Sequence, residues 1–506
     1  MSKQATGVNR RELIKSMVSM PLMAAQPAAE KRRRPNLLFL FSDQHSYDMM
    51  GCSGNRQVQT PVMDSLSAEG IHFSHCFSTS PVCSPYRSML LSGMHPLSNG
   101  VFFNDVTMIP GKGKYFGEVL TGAGYQTGYF GKWHILGGNR VRPIPPGELR
   151  YGFDGSFLSN NCTTMFDAAR AYYWNQKGER TLYGDWEPYA QSKQACSFLD
   201  EQSADKPFAM FLSWHPPHDH GKRDQYYVYD TQPDLMELYA KSDPELRPAV
   251  AQLDSSERRK QQCRDYMAQT TGVDGALGMV LDKLKARGLD RDTIVVYTSD
   301  HGDCLGAYGW HSSAKDIPHD CSSRVPFLLR YPGVLKPRRS DLMIGPLDLM
   351  PTLLGLMGIV PPESCQGRNL SKAIVKVDDG ASNSVPMSMI HSGPEEYRGV
   401  ITRDWTFAVQ RHDKEPHPQM NVLYDRREDP HQIRNQFSEN RKARRKMMDL
   451  TRTWMKRFDD TFVSHKELMA SGIPWKYPDQ GGAVNRTSPL ERVKQAKLQP
   501  AKFHEE

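Results

Sequence analysis

None of the nine cysteines stands in a Cys-x-x-Cys pair, so the chain offers neither a zinc ribbon nor a thioredoxin-like redox motif, and spacing alone assigns no disulfide. Nor is there an unbroken apolar run of the roughly twenty residues that a hydrocarbon core demands, which argues against a stable membrane span. The best candidate, residues 16–29, is uncharged but fourteen residues long and interrupted by Pro21 and Gln26. Internal repeats are also missing, which excludes solenoids and propellers. Positive charge is scarce away from the N terminus: of a formal net charge of +7, eight basic and two acidic groups lie in residues 1–34, leaving about +1 for the rest. A near-neutral body lacks the clustered basic face that displaces counterions from nucleic acid, so nucleic acid is not an expected partner. One later cluster, Arg441, Lys442, Arg444, Arg445 and Lys446, is followed at helical spacing by Met447, Leu450, Trp454 and Phe458, and reads as the solvated face of an amphipathic helix.

With 506 residues, 38% of them hydrophobic and 24% charged, what remains is an ordinary globular composition with room for a large core. The first 35 residues carry Asn9-Arg10-Arg11-Glu12-Leu13-Ile14-Lys15 ahead of the uncharged stretch, which is alanine-rich toward its end at Ala28-Ala29. This is the pattern of a twin-arginine export signal, so residues 1–35 are expected to direct a bacterial protein through the twin-arginine machinery to the periplasm or beyond.

The body is punctuated by apolar runs that stop at polar groups. Asn36–Ser42 ends at Asp43-Gln44-His45, and Thr293–Ser299 ends at Asp300-His301-Gly302-Asp303. Residues 208–214 end at His215-Pro216-Pro217-His218, and 124–130 lead into Gly131-Lys132-Trp133-His134. Runs without alternation belong to strands buried on both faces, and open parallel sheets place their sites beyond the carboxyl ends of such strands. Helices fit the intervals: Thr60-Pro61 opens one that Gly70 stops, and Val273, Leu277, Val280, Leu281 and Leu284 share a face over 270–287. The pattern predicts an α/β fold with a large, doubly wound sheet flanked by helices over 36–375. The polar stretch 378–384 reads as a linker to a smaller α+β subdomain over 376–465, and 466–506 as an extended tail.

Asp43, Gln44, Asp300 and His301 together suit a divalent cation: Ca²⁺ first, Mg²⁺ or Mn²⁺ as alternatives. Cys83 is not the nucleophile of a Cys-x5-Arg phosphatase loop, because Met89 occupies the required arginine position. Cys83-Ser84-Pro85-Tyr86-Arg87 with Leu90-Leu91-Ser92-Gly93 instead resembles the signature of the type I sulfatases of the alkaline phosphatase superfamily. Supporting segments follow in family order: Asp43-Gln44, Gly131 to His134, His215 to His218, Thr298 to Asp303, and Lys315 before Arg324-Val325-Pro326, as far as about Asn435.

The resemblance implies conversion of Cys83 to formylglycine (3-oxoalanine) by a formylglycine-generating maturation enzyme. It implies a hydrated aldehyde that attacks a sulfate ester beside a cation held by Asp43, Gln44, Asp300, His301 and residue 83 itself. Arg87 and Lys132 would hold that hydrate, His218 and Lys315 would face sulfate oxygens and the leaving alcohol, and His134 would take the second hydroxyl's proton. Asn104 would donate to the transferring group, or serve only as a turn residue. Many relatives have a second aspartate where Gln44 stands, Asn where His301 stands, and Lys-x3-Tyr-Glu-Glu where this chain has Lys315-Asp316-Ile317-Pro318-His319. Gln44 and His301 occur in the branch with choline sulfatases and phosphonate or phosphodiester hydrolases, so substrate class stays open. The expected function is hydrolysis of a sulfate monoester of a carbohydrate or related alcohol. The alternatives are a phosphonate monoester hydrolase or phosphodiesterase using the same nucleophile, and a sulfated-glycan-binding protein without catalysis. Tyr172, Tyr173, Trp174, Tyr183, Trp186 and Tyr189 form either a sugar-stacking wall or a local hydrophobic cluster.

Overall fold

The computed structural model describes residues 34–471, apart from 204, 224–225, 230, 394, 412, 414–416 and 418, together with 486–496, 501 and 503. The expected export signal thus lies, up to residue 33, outside the described residues. Asn36–Ser42 is the centre of a ten-stranded mixed sheet. From edge to edge the strands are Arg338–Ser340, Ile71–Phe73, Phe327–Arg330, Thr293–Ser299, Asn36–Ser42, Phe208–Ser213, Gln126–Lys132, Ser156–Asn160, Tyr172–Trp174 and Arg180–Leu182. The five from Thr293–Ser299 to Ser156–Asn160 are mutually parallel. Leu37, Phe39 and Phe41 enter the core on one face, and Leu38 and Leu40 the core on the other. A strand with a core on each side needs apolar residues at every position, which is why its sequence shows no alternation.

Helices cover both faces. Cys83–Ser92 packs with Pro346–Leu356 on one, and Pro61–Glu69, Glu187–Asp200 and Glu257–Ala286 pack on the other. The last of these begins well before the apolar face read from the sequence. Its first turns carry Arg258, Arg259 and Lys260, so no periodicity marks them, yet Ser256 caps the start and Cys263, Tyr266 and Met267 are buried. A second, antiparallel sheet of four strands, Ser384–Met389, Tyr397–Thr402, Trp405–Gln410 and Val422–Asp425, is covered by helix Arg441–Arg457. The expected linker therefore gives way at Ser384 to a buried strand. In the stretch expected to be an extended tail, the described residues include helices His465–Ala470 and Pro489–Gln495, which place Leu468 and Val493 in a core with Leu97, Phe102 and Ile390. Trp186 is buried beside Phe166, Tyr229 and Leu235, and Tyr172 is also buried, so much of the aromatic group serves packing.

Register aligns the chemistry. Phe41 pairs with Thr298 on one side and Ser213 on the other, and Ser213 in turn pairs with Gly131. The residues just past these pairs, Asp43, Asp300, His215 and Lys132, therefore emerge along one edge. Gly131 has a φ of +91°, and a Cβ there would stand 2.1 Å from the Ser213 carbonyl oxygen, so only glycine lets the strand deliver Lys132.

Candidate active site

Cys83 is the first residue of its helix and is fully buried beyond the sheet edge. Its Sγ lies 3.2 Å from His301 Nε2, 3.7 Å from Asp43 Oδ1, 3.5 Å from Lys132 Nζ and 4.0 Å from Lys315 Nζ. Arg87, one turn further along, organises the carboxylates. Its Nε donates to Asp300 Oδ2 at 3.0 Å, and its Nη2 meets Asp43 Oδ2 at 3.0 Å and Asp300 Oδ2 at 2.9 Å. Nη1 donates to the Lys132 carbonyl at 2.9 Å and to Ser213 Oγ at 2.7 Å. Four of these contacts are hydrogen bonds, and they direct the guanidinium at the carboxylates and the strand ends.

The consequence is a division of labour within each carboxylate. The Oδ2 atoms face Arg87, and Lys132 Nζ adds a 2.6 Å bond to that of Asp43. The Oδ1 atoms face His301 Nε2, at 3.5 Å for Asp43 and 3.6 Å for Asp300. His301 Nδ1 lies 3.0 Å from the Gly302 carbonyl, which places a proton on Nδ1, so the neutral ring presents its Nε2 lone pair inward. Ligand atoms of Asp43, Cys83, Asp300 and His301 all lie within 4.8 Å of one another, and all four residues are buried. Two carboxylate oxygens and an imidazole, held from behind by a guanidinium, are a donor set suited to a hard or borderline divalent cation.

Gln44 occupies the neighbouring corner with a φ of 66°. Its Nε2 donates to Asp303 Oδ2 at 2.5 Å and Ser313 Oγ at 3.2 Å, and its Oε1 accepts from Lys315 Nζ at 2.7 Å. Lys315 Nζ also meets His218 Nε2 at 2.7 Å, and His218 Nδ1 faces the Asp219 carbonyl at 2.8 Å. His134, with a φ of 54°, directs Nε2 at Asp105 Oδ1, 3.4 Å away. Left-handed backbone costs a non-glycine residue about 1 kcal/mol or more, so Gln44 and His134 are held where they are by their surroundings. Asn104 sits at the helix entrance, its Oδ1 accepting the Ser84 N–H at 3.0 Å. The floor is sealed, while Lys315, His218, Asn104 and Asp105 are only partly buried and form the mouth.

Electrostatics follow from this crowding. Burial pushes the Cys83 thiol up, but Lys132, Lys315 and His301 outweigh it and hold it well below the usual thiol range. Burial and then Asp43 raise Asp300, whereas Asp43, against its own burial, is held down by Lys132, His218 and Arg87. Asp105, Cys162, Asp219 and Ser213 escaped the sequence reading, and Asp303 entered it only as the end of a segment, with no role. Asp219 and Asp105 directly follow residues already singled out; Cys162 and Ser213 carry no local signal.

A cation at this set would bind the folded state alone. We expect Ca²⁺ at a thousandfold excess over its Kd to add about 4 kcal/mol of stability over chelated protein, seen as a higher midpoint of thermal unfolding. The response should disappear in Asp300→Asn.

The comparisons agree with this geometry. The family model described as "Sulfatase" matches residues 35–359, and "N-sulphoglucosamine sulphohydrolase, C-terminal" matches 306–457. The ulvan-active sulfatase of Formosa agariphila is 32% identical over 79% of this chain and 77% of its own length. The endo-4-O-sulfatase of Bacteroides thetaiotaomicron is 29% identical over 89% and 97%. The crystal structure of yidJ from Bacteroides fragilis superposes with a TM-score of 0.77 at 31% identity, covering 86% of this chain and 98% of that one.

Proposed function

The chain belongs to the sulfatase family and is a sulfuric ester hydrolase, and from that premise we propose that it releases sulfate from a sulfated glycan outside the cytoplasm, after export by the twin-arginine route. The convergence of Asp43 Oδ1, Asp300 Oδ1, His301 Nε2 and Cys83 Sγ under Lys132 and Lys315 carries this reading. The glycan preference rests on the relatives named for ulvan and for endo-4-O-sulfate. No helix among the described residues is long and apolar enough to cross a membrane.

Formylglycine made from Cys83 by a maturation enzyme supplies a nucleophilic oxygen as its hydrate, and a divalent cation, Ca²⁺ first, supplies positive charge at the ester. Asp43, Asp300 and His301 would hold that cation, with the Gln44 amide at its edge. Arg87 positions the two carboxylates and, as the resemblance implies, would also hold the hydrate at residue 83. Lys132 sits between Asp43 and residue 83 and adds charge where a sulfate oxygen develops its own. Lys315 and His218, 2.7 Å apart at the mouth, face the leaving side, where one of them protonates the departing alcohol. His134 stands on the other flank as the base that clears sulfate from residue 83, and Asn104, whose Oδ1 holds the Ser84 N–H, would donate to the transferring group through its amide nitrogen.

Cys162 sets the condition of that base. Burial disfavours a charged His134, but the negative charge at Cys162 and the bond to Asp105 prevail and raise it to about 10. A base must be neutral to accept a proton, so the rise of turnover with pH should come late in the native enzyme. Cys162→Ser removes the negative charge and should move that rise to lower pH. A pH profile unchanged by Cys162→Ser would show that Cys162 does not set the ionisation of the base.

Sulfate release from a panel of sulfated polysaccharides and oligosaccharides, set beside turnover of an aryl phosphodiester, tests the function. Release from at least one glycan, faster than diester cleavage, is the expected result. A large preference for the diester would favour the phosphonate or phosphodiester hydrolase, and tight glycan binding without any turnover would favour the binding protein.

A further inference from the structure

Lys315 is carried by a long irregular segment. Between Ser299 and the helical turn Asp320–Ser323, the only regular element is the single 3₁₀ turn Ala307–Gly309. Stretches of this length without helix or strand are uncommon in compact domains and are held by other means. Inside the segment Cys304 N donates to the Ala314 carbonyl at 2.9 Å, and Leu305 N to that of Ser312 at 2.9 Å. Ser313 reaches Gln44 and Asp219, and Lys315 reaches Gln44 and His218. Its two ends meet at a pair of thiols. Cys304 and Cys321 are seventeen positions apart, their Sγ atoms are 3.2 Å apart, and their residues are 0% and 8% exposed. The main chains are equally close. Gly302 N donates to the Ser322 carbonyl at 2.7 Å, and a Cβ on Gly302 would stand 2.1 Å from the Cys321 carbonyl oxygen. The two residues differ in accessibility: Cys321 lines a cavity of about 240 Å³ with Tyr47, Arg247, Tyr308 and Arg324, and Cys304 is not part of that lining.

We propose that Cys304 and Cys321 are a disulfide-forming pair that closes in an oxidising compartment and fixes the loop presenting Lys315. The Cys321 thiolate, reached through the cavity, attacks one sulfur of a low-molecular-weight disulfide and displaces the first thiol. The Cys304 thiolate then attacks the Cys321 sulfur of the mixed disulfide and displaces the second. The pair loses two electrons and two protons, which leave as the two released thiols. Burial pushes the Cys304 thiol up, so in the folded protein the second displacement is slow near neutrality and quickens as pH rises. The bond stabilises by restricting the unfolded chain across this loop and by limiting the excursions of Lys315 in the folded one.

To test this, the purified full-length protein is equilibrated with glutathione at an oxidising and at a reducing ratio, denatured in alkylating agent and mapped without reduction. At the oxidising ratio the peptides containing Cys304 and Cys321 should appear joined, with Cys76 and Cys263 alkylated. The oxidised protein should unfold several degrees above the reduced one and lose sulfate release more slowly on warming. Both differences should vanish in Cys304→Ser and in Cys321→Ser. Alkylation of both residues at the oxidising ratio overturns the bond. A bond that leaves the unfolding temperature and the rate of inactivation unchanged overturns its role in fixing the loop. Neither outcome bears on whether the protein is a glycan sulfatase, which the sulfate-release panel decides separately.

Discussion

Cys83→Ala is expected to lower sulfate release by roughly 10⁴- to 10⁶-fold, the range seen when a nucleophile is removed and its surroundings remain. The surroundings should indeed remain. Asp43 keeps its bonds to Lys132 and Arg87, Asp300 keeps its bonds to Arg87, and His301 keeps its bond to the Gly302 carbonyl, none of which involves the Cys83 side chain. Alanine also suits the first turn of a helix. Thermal unfolding should therefore move by no more than a few degrees while turnover collapses, and binding of a sulfated oligosaccharide should persist through Lys315, His218 and Lys132. The mass of the proteolytic peptide containing residue 83, from a host able to mature sulfatases, provides the companion measurement. An aldehyde or its hydrate is expected there. An unmodified thiol, together with unchanged turnover in Cys83→Ala, would sink the assignment of the nucleophile.

How much of this was legible in the chain depends on what each feature needs from three dimensions. Asn36–Ser42 and Thr293–Ser299 occupy the expected residues because a strand buried on both faces must be apolar throughout, and the first polar residue marks its end. Short strands with less to bury give no such mark. Ile71–Phe73 and Arg338–Ser340 are three residues each, and Ser384–Met389 follows a serine- and asparagine-containing stretch that reads as linker. Within the site, residue types and strand ends were legible, but the partners of each side chain were not. That Arg87 spends its donors on Asp43, Asp300, Ser213 and the Lys132 carbonyl depends on four strands ending at one level, which only register supplies. Cys162 illustrates the same limit. Nothing near it in sequence marks it, and its weight comes from a position beside His134 and His215.

Arg87→Met should be the most damaging substitution for the fold of the site. Methionine roughly fills the space, but it leaves Asp43 Oδ2 and Asp300 Oδ2 without the guanidinium that joins them, and Lys132 reaches only Asp43. Removing one partner of a buried ionic network costs about 3–5 kcal/mol, because the remaining charge keeps its desolvation penalty and loses its compensation. Asp300 is the weaker acid of the two, raised by burial and by Asp43, so the loss of Arg87 drives it to take up a proton. A protonated Asp300 is a poorer ligand, and its Oδ1 then no longer serves equally as acceptor for the Gln44 N–H. The expected results are a markedly lower unfolding temperature, loss of detectable sulfate release, and a stability that falls further as pH rises, since Asp300 must then ionise without its counter-charge. Excess Ca²⁺ should restore part of the stability at neutral pH by replacing the missing positive charge from the opposite side of the carboxylates. Arg87→Lys, which keeps the charge but cannot bridge both oxygens in one plane, should fall between the two in stability and remain nearly inactive. Thermal unfolding at several pH values, with and without Ca²⁺, together with sulfate release, measures each of these. An Arg87→Met protein with native stability and an undiminished response to Ca²⁺ would show that the carboxylates are aligned by the strand ends alone.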